Sequence, residues 1–117
     1  MSRRPDGVLE RDVLQALWSL EQPASPSEVM AQMQTALAYT SIATVLGRLC
    51  HKGLVERQRR GRAYVYSPSS TEAELTARRL HSLLDATSDR TSALAGFVSG
   101  LDPQEAASLA QLLRDTE

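Results

Sequence analysis

Residues 40–68, TSIATVLGRLCHKGLVERQRRGRAYVYSP, decide the fold of this chain. Apolar residues in the first part of this stretch recur with the 3.6-residue period of an amphipathic helix. The residues predicted to face the core are Ile42, Val45, Leu46 and Leu49. Thr40 is a favourable residue for capping the start of this helix, and Gly53 is a favourable residue for ending it.

The opposite face of this predicted helix carries small, hydroxyl-bearing or basic residues, which are Ser41, Ala43, Thr44, Gly47 and Arg48. A helix with such a face can settle closely into the major groove of DNA, where hydroxyls bond bases or phosphates. Arg48 can bond a guanine or the phosphate backbone, and we favour the backbone. Two alternatives stay open. Thr40 can be a helix cap that makes no contact with DNA, and Ala43 or Gly47 can be small without a functional reason.

An alternating pattern replaces the helical period after Gly53. Residues 54–59 and 63–66 are predicted to form two strands, joined by a hairpin turn at residues 60–62 in which the glycine supplies a positive φ. Three arginines make the tip of this hairpin strongly basic.

Two further helices are predicted before residue 40. The apolar stripe of the first comprises Leu9, Val13, Ala16, Leu17 and Leu20. Trp18 lies on roughly the opposite side of that helix, where it is expected to meet a second surface or to stay partly exposed. The next helix is predicted to start with a capping box and a proline at Ser25, Pro26 and Glu28, and its apolar stripe is Val29, Met33 and Leu37.

Three helices followed by a basic two-stranded ribbon are the order of a winged helix-turn-helix, in which the third helix reads base edges and the wing grips phosphates or the minor groove. The charge distribution agrees. The 117-residue chain has a formal net charge of −1, yet residues 30–70 carry six Lys or Arg and one Glu, so this segment is +5 and the remainder −6. Taken alone, such a charge run also fits a solvated basic face. Its coincidence with the helix and the hairpin predicts DNA binding.

The sequence changes character at Pro68, which stands among serines and precedes an acidic, helical stretch. We expect a boundary there, with residues 1–68 forming a winged helix-turn-helix DNA-binding domain and residues 69–117 a helical dimerisation region. The predicted fold class is therefore mostly α with a small β-hairpin.

Three amphipathic helices are predicted in the second region, starting near Thr71, Asp89 and Asp102. They contain too few residues to bury their apolar stripes in a monomer, which predicts a dimer interface. The residues predicted to form it are Leu80, Leu84, Leu94, Phe97, Val98, Leu109 and Leu113.

Composition and motifs disfavour other classes. One cysteine, no secretory apolar segment after Met1 and no bilayer-spanning stretch predict a cytoplasmic protein. Cys50 and His51 are adjacent without further ligands nearby, so we expect no metal and no cofactor. No acid–base pair, nucleophile motif or phosphate loop indicates an enzyme. The alternative function is a winged-helix module that binds protein without sequence-specific DNA binding. The cluster of arginines at the hairpin does not favour this alternative.

The stretch at residues 40–68 and its flanking segments resemble the penicillinase repressors, the BlaI/MecI/CopY group of bacterial winged-helix transcriptional regulators. The resemblance covers nearly the whole chain and is most specific over residues 40–68. The segments that carry it are Leu17-Trp18, residues 39–49 (YTSIATVLGRL), residues 52–55 (KGLV) and residues 60–68 (RGRAYVYSP).

The resemblance implies a homodimer whose C-terminal helices intertwine and whose N-terminal domains bind the two halves of a palindromic operator, built from TACA-like and TGTA-like elements. Binding there blocks transcription. The residues that match the recognition surface of the family are Thr40, Ser41, Thr44 and Arg48 on the helix, and Arg60, Gly61 and Arg62 on the wing. Ala43 on the helix face and Arg59 beside the tip complete the predicted DNA-contact set.

The resemblance also implies two possible ways in which the protein is released from DNA. In penicillinase repressors of this family, a membrane-linked sensor and metalloprotease system cuts the C-terminal region between an Asn and a Phe. The corresponding pair here is Gly96 and Phe97, and the missing Asn argues against this route and this partner. Phe97 is a predicted core or dimer residue instead. Copper-responsive relatives carry paired C-terminal cysteines as soft metal ligands, whereas this chain has only Cys50.

Overall fold

The computed structural model describes residues 6–116, and these residues form six helices and one β-hairpin. The elements are α1 (Asp6–Leu20), α2 (Pro26–Met33), α3 (Tyr39–His51), β1 (Val55–Arg60), β2 (Ala63–Pro68), α4 (Glu72–Ala86), α5 (Arg90–Ser99) and α6 (Pro103–Asp115). This order confirms the predicted fold class. The expectation that no secretory segment follows Met1 concerns in part residues 1–5, which lie outside the described residues. Within residues 6–116, no helix has the length and apolarity needed to cross a bilayer.

The core of the first compact unit, which ends at Leu75, lies between α1, α2, α3 and the base of the hairpin. Its fully buried side chains are Val13, Leu14, Leu17, Val29, Ile42, Leu46 and Leu49, each at most 2% exposed. The predicted inner face of the third helix is therefore confirmed. Leu75 of α4 is buried against the same core, so the segment that follows Pro68 packs with the first unit.

The second helix begins as the sequence predicts. Ser25 Oγ accepts a hydrogen bond from the amide of Glu28 at 3.2 Å, and the Glu28 carboxylate accepts one from the amide of Ser25 at 2.9 Å. Pro26 occupies the first turn, where a missing N–H costs nothing. This reciprocal cap places the start of α2 by local chemistry alone.

The third helix begins earlier than predicted. Its N-cap is Ala38, whose backbone is extended and whose side chain makes no capping hydrogen bond. Thr40 therefore lies inside the first turn, and its predicted role as the cap is wrong. Just upstream, the amide of Leu37 donates to Thr35 Oγ1 at 3.1 Å, and Leu37 packs against the core. These contacts bring the chain into helical conformation at Tyr39.

Gly53 ends α3 as predicted. With φ at +78°, it adopts the left-handed conformation that side chains disfavour. The amide of Gly53 donates to the carbonyl of Cys50, and the amide of Leu54 donates to the carbonyl of Leu49, both at 3.0 Å. This pair of bonds is a Schellman motif, which satisfies the last carbonyls of the helix and turns the chain into β1.

The hairpin has a shorter turn than predicted. β1 and β2 pair antiparallel up to Arg60 opposite Ala63, which leaves Gly61 and Arg62 as a two-residue turn with Gly61 at a φ of +65°. Arg60 is thus the last residue of a strand, because its backbone is paired. β2 also continues past the predicted end to Pro68.

Contacts between distant segments complete the first unit. Ala24, in the link between α1 and α2, pairs with Tyr66 through two backbone hydrogen bonds of 2.9 and 2.8 Å, which form an isolated β-bridge to the two-stranded hairpin. Trp18 is half-buried, and its indole N–H donates to the carbonyl of Ser70 at 2.9 Å. The second surface expected for Trp18 is therefore the segment that leads into α4.

The second compact unit begins at Thr76, and no side chain of residues 76–116 is buried. Its helices nevertheless start on well-formed caps, since Asp89 accepts a hydrogen bond from the amide of Ser92 at 3.1 Å and Asp102 accepts one from that of Glu105 at 2.8 Å. Capping thus determines the helices of this unit, while their apolar side chains lack a core.

Candidate nucleic-acid interface

The outer face of α3 is formed by the side of the helix opposite its buried residues. Thr44 and Arg48 are exposed on it, together with Thr40 in the first turn, while Ser41 and Ala43 at its margins are half-buried. A Cβ built at Gly47 would meet no protein atom within 4 Å, so the packing of the chain itself does not require a glycine there. All five predicted helix residues therefore lie together on or beside one accessible surface.

Two residues of this surface were not among those predicted. Tyr39 is 51% exposed at the N-terminal end of α3. His51 is exposed at the opposite end and follows Thr40 and Thr44 by whole turns of the helix. The helical period was sufficient to place His51 on this face, whereas Tyr39 became part of the helix only because α3 starts before Thr40.

The wing carries a second cluster on one face of the ribbon. Arg59 lies directly opposite Tyr64 in the strand register, and Arg57 projects from the same face. The guanidinium carbons of Arg57 and Arg59 lie 4.2 and 5.8 Å from the centre of the Tyr64 ring. Cation–π contacts of this kind hold long side chains in place without neutralising their charge. Arg62 is exposed in the turn beside them.

Two other cations of the basic segment are engaged by the protein itself. Lys52 Nζ lies 2.8 Å from Glu10 Oε2 and joins the end of α3 to α1. Arg60 donates to the carbonyl of Pro23 at 3.2 Å and lies 3.9 Å from the Glu28 carboxylate. The amide of Ser25, its hydroxyl and Arg60 together lower the pKa of Glu28, so this carboxylate is charged at neutral pH.

The lone thiol does not form a reactive site. Cys50 is half-buried near the end of α3, and its burial raises the pKa of the thiol. A thiol with a raised pKa is mostly protonated at neutral pH and is a poor nucleophile and metal ligand. Among residues 6–116, no group of three or more His, Cys, Asp and Glu side chains is arranged to hold a metal ion.

The model of one protein family, described as penicillinase repressor, matches residues 7–115. The chain belongs to the penicillinase repressor family. Curated relatives include the transcriptional regulator BlaI of Mycobacterium tuberculosis, from strains CDC 1551 and H37Rv, each 36% identical over 95% of this chain and 84% of the relative.

Solved structures give weaker matches to this member of the penicillinase repressor family. The crystal structure of Mycobacterium tuberculosis Rv0081 is 28% identical over 74% of this chain and 82% of that chain, with a TM-score of 0.49. The transcriptional regulator Tm0710 from Thermotoga maritima is 18% identical over 97% of this chain and 72% of that chain, with a TM-score of 0.48.

Family membership settles the class of function. This penicillinase repressor family member is a DNA-binding transcriptional repressor. The alternative, a winged-helix module that binds only protein, is not favoured. The outer face of α3 and the Arg57, Arg59 and Tyr64 cluster are the surfaces that fit such an activity.

Proposed function

We propose that the chain binds a palindromic operator as a homodimer, with α3 of each protomer in the major groove. The observation that carries this proposal is the outer face of α3, on which Thr40, Thr44 and Arg48 are accessible and Gly47 leaves room for close approach. Hydroxyls on such a face donate to or accept from base edges, while Arg48 bonds the backbone. Ser41 and Ala43 flank this contact at its margins.

The wing would grip the backbone next to the groove that α3 occupies. Arg59, Gly61 and Arg62 supply the contacting surface, with Arg57 and the Tyr64 ring behind it. Gly61 lets the turn come close to a phosphate, because it adds no side chain there. The wing then supplies affinity that does not depend on sequence, whereas α3 supplies the preference for one operator.

Dimerisation is supported by the apolar residues that the second unit leaves uncovered. Leu80, Phe97 and Leu113 are 47%, 52% and 61% exposed, and Leu94 and Val98 are exposed beside Phe97. Leu84 and Leu109 are half-buried. Several large apolar side chains left exposed on one short unit are typical of an association surface. In a two-fold dimer the two α3 helices would lie about 34–36 Å apart, one turn of DNA.

The proposal also concerns where and how the repressor acts. We propose that the protein acts in the cytoplasm, where bacterial operator DNA lies, and we assign it no catalytic role and no cofactor. Gly96 and Phe97 lie inside α5, and Gly96 replaces the Asn of the family's cleavage pair. We therefore propose that release from DNA proceeds without cleavage at this pair and without a membrane-linked protease.

Replacing Thr44 by alanine is expected to change operator preference more than overall affinity, because Thr44 faces the bases. Removing one single hydrogen bond to a base shifts discrimination at one base pair by about 1 kcal/mol. Titration of wild-type protein, Thr44→Ala and Thr44→Ser against operators changed one pair at a time measures this shift. Thr44→Ser keeps the hydroxyl, so it separates a hydroxyl contact from a methyl contact.

Ser19→Ala, an exposed change on α1, is the control. Equal weakening of all operators would contradict direct readout at this position.

Genome-wide recovery of DNA bound by the chain, with and without a cell-wall antibiotic, tests the proposed function as a whole. We expect a small set of sites that share one inverted repeat, and immunoblotting is expected to show an uncut chain in both conditions. Recovery without a common sequence would contradict specific operator binding. A fragment that ends between Gly96 and Phe97 would contradict release without cleavage.

A further inference from the structure

Arg60 differs from the other arginines of the wing in where its guanidinium lies. By strand alternation, its side chain leaves the ribbon on the opposite face from Arg57 and Arg59. It donates to the carbonyl of Pro23 at 3.2 Å and lies 3.9 Å from the carboxylate of Glu28. Arg60 is thus directed toward the body of the first unit, while its neighbours are directed away from it.

The partners of Arg60 all belong to the entrance of α2. Pro23 lies in the link before this helix, and Glu28 forms its capping box with Ser25. The same link is bonded to the base of the wing through Ala24 and Tyr66. The wing is therefore attached to this link twice, by a backbone bridge near its base and by Arg60 near its tip.

The link to α2 also determines where the wing lies relative to α3. Val29 of α2 is fully buried in the core that holds Ile42 and Leu46 of α3. A contact that holds the wing on the entrance of α2 therefore holds it at a set distance from the outer face of α3. The hydrogen bond from Arg60 to this entrance joins residues 37 positions apart in the sequence.

We infer that Arg60 is a positioning residue that holds the wing against the entrance of α2, so that Arg59 and Arg62 meet the phosphates flanking the groove occupied by α3. This inference rests on the proposed DNA-binding mode. Moving Arg60 onto a phosphate would break its bond to Pro23 and leave the Glu28 carboxylate without its nearby cation. Arg62, in contrast, makes no ion pair within the described residues, so a phosphate contact by Arg62 displaces no internal partner.

The test compares Arg60→Ala with Arg62→Ala, because each removes one positive charge from the tip of the wing. Amide hydrogen exchange of Ala24 and Tyr66 is measured by NMR in the DNA-free protein, which makes this readout independent of operator binding. We expect exchange at these amides to accelerate roughly three- to tenfold in Arg60→Ala. Arg62→Ala is expected to exchange like the wild type.

Operator affinity of the same variants as a function of salt separates positioning from phosphate contact. We expect Arg60→Ala to weaken binding while the slope of log affinity against log salt is unchanged. Arg62→Ala is expected to reduce that slope by about 0.9 for each phosphate that the variant no longer neutralises. The inference would be overturned if the amides of Ala24 and Tyr66 exchanged as slowly in Arg60→Ala as in the wild type. It would also be overturned if Arg60→Ala reduced the salt slope as much as Arg62→Ala does. If the wild type fails to bind any operator, the proposed function fails, and the exchange result alone still decides whether Arg60 holds the wing.

Discussion

Operator affinity is expected to fall roughly a hundredfold at moderate salt when Arg59 and Arg62 are both replaced by alanine. Both side chains are exposed on the wing, and the Tyr64 ring stacks near Arg59 without neutralising its charge. Each phosphate that is no longer neutralised also removes about 0.9 from the slope of log affinity against log salt. Because a dimer has two such wings, the double replacement removes both arginines twice, and the change in slope is expected to be large. Titration of a labelled operator at several salt concentrations measures both quantities.

The matched control for this variant is Arg11→Ala with Arg114→Ala, which lowers the net charge equally at exposed positions outside the wing. It is expected to keep most of the wild-type affinity and slope. If the control and the wing variant change the salt dependence equally, the overall charge of the chain attracts DNA, and a specific role for the wing is wrong. Non-specific DNA is expected to lose affinity as much as the operator does, because phosphate contacts do not depend on sequence.

Dissociation of the dimer is the second large effect, and we expect it when Phe97 and Leu113 are both changed to aspartate. These side chains are 52% and 61% exposed in the protomer, so the change costs little in the folded monomer. A charge in an apolar interface, however, is strongly unfavourable. Size-exclusion chromatography with light scattering is expected to show a monomer. Since binding of one half-site no longer brings the second domain to the other half-site, operator affinity is expected to fall by roughly 10²- to 10⁴-fold.

The control for the dimer prediction adds the same two negative charges at polar, exposed positions of α4 and α5, as Ser82→Asp with Ser92→Asp. It is expected to remain dimeric and to bind the operator. Binding to a single half-site separates DNA contact from dimerisation, since it needs only one protomer. The monomeric variant is therefore expected to retain this binding. A Phe97→Asp, Leu113→Asp protein that still elutes as a dimer would show that these residues lie outside the interface.

The helices and the hairpin were predictable because their boundaries depend on neighbours a few residues apart. The capping boxes at Ser25 with Glu28 and at Asp102 with Glu105 are bonds between residues three positions apart, so the sequence alone shows them. Gly53 is equally local, because its positive φ is needed at the end of a helix. The wrong cap at Thr40 shows the limit of this approach: Ala38 provides no side-chain signal, and the start of α3 depends on how the preceding loop packs.

Most of the candidate site follows from the same local patterns. The helical period separates Thr44 and Arg48 from the buried face of α3, and the alternation around Gly61 identifies a basic ribbon. The exposed apolar residues of the second unit were also predictable, since three short amphipathic helices cannot cover their own stripes. Which side chains cover these stripes in a dimer stays a prediction.

By itself the sequence determined the helices, the hairpin, the face of α3 that turns outward and the concentration of positive charge near the wing. Only the tertiary structure decided which of these cations meet partners within the protein. Lys52 is paired with Glu10, and Arg60 bonds Pro23 and lies near Glu28, whereas Arg59 and Arg62 are exposed. The physical reason is separation along the chain. Arginines that stand next to each other in sequence point to opposite faces of a strand, and only the packing of distant segments determines what each face meets.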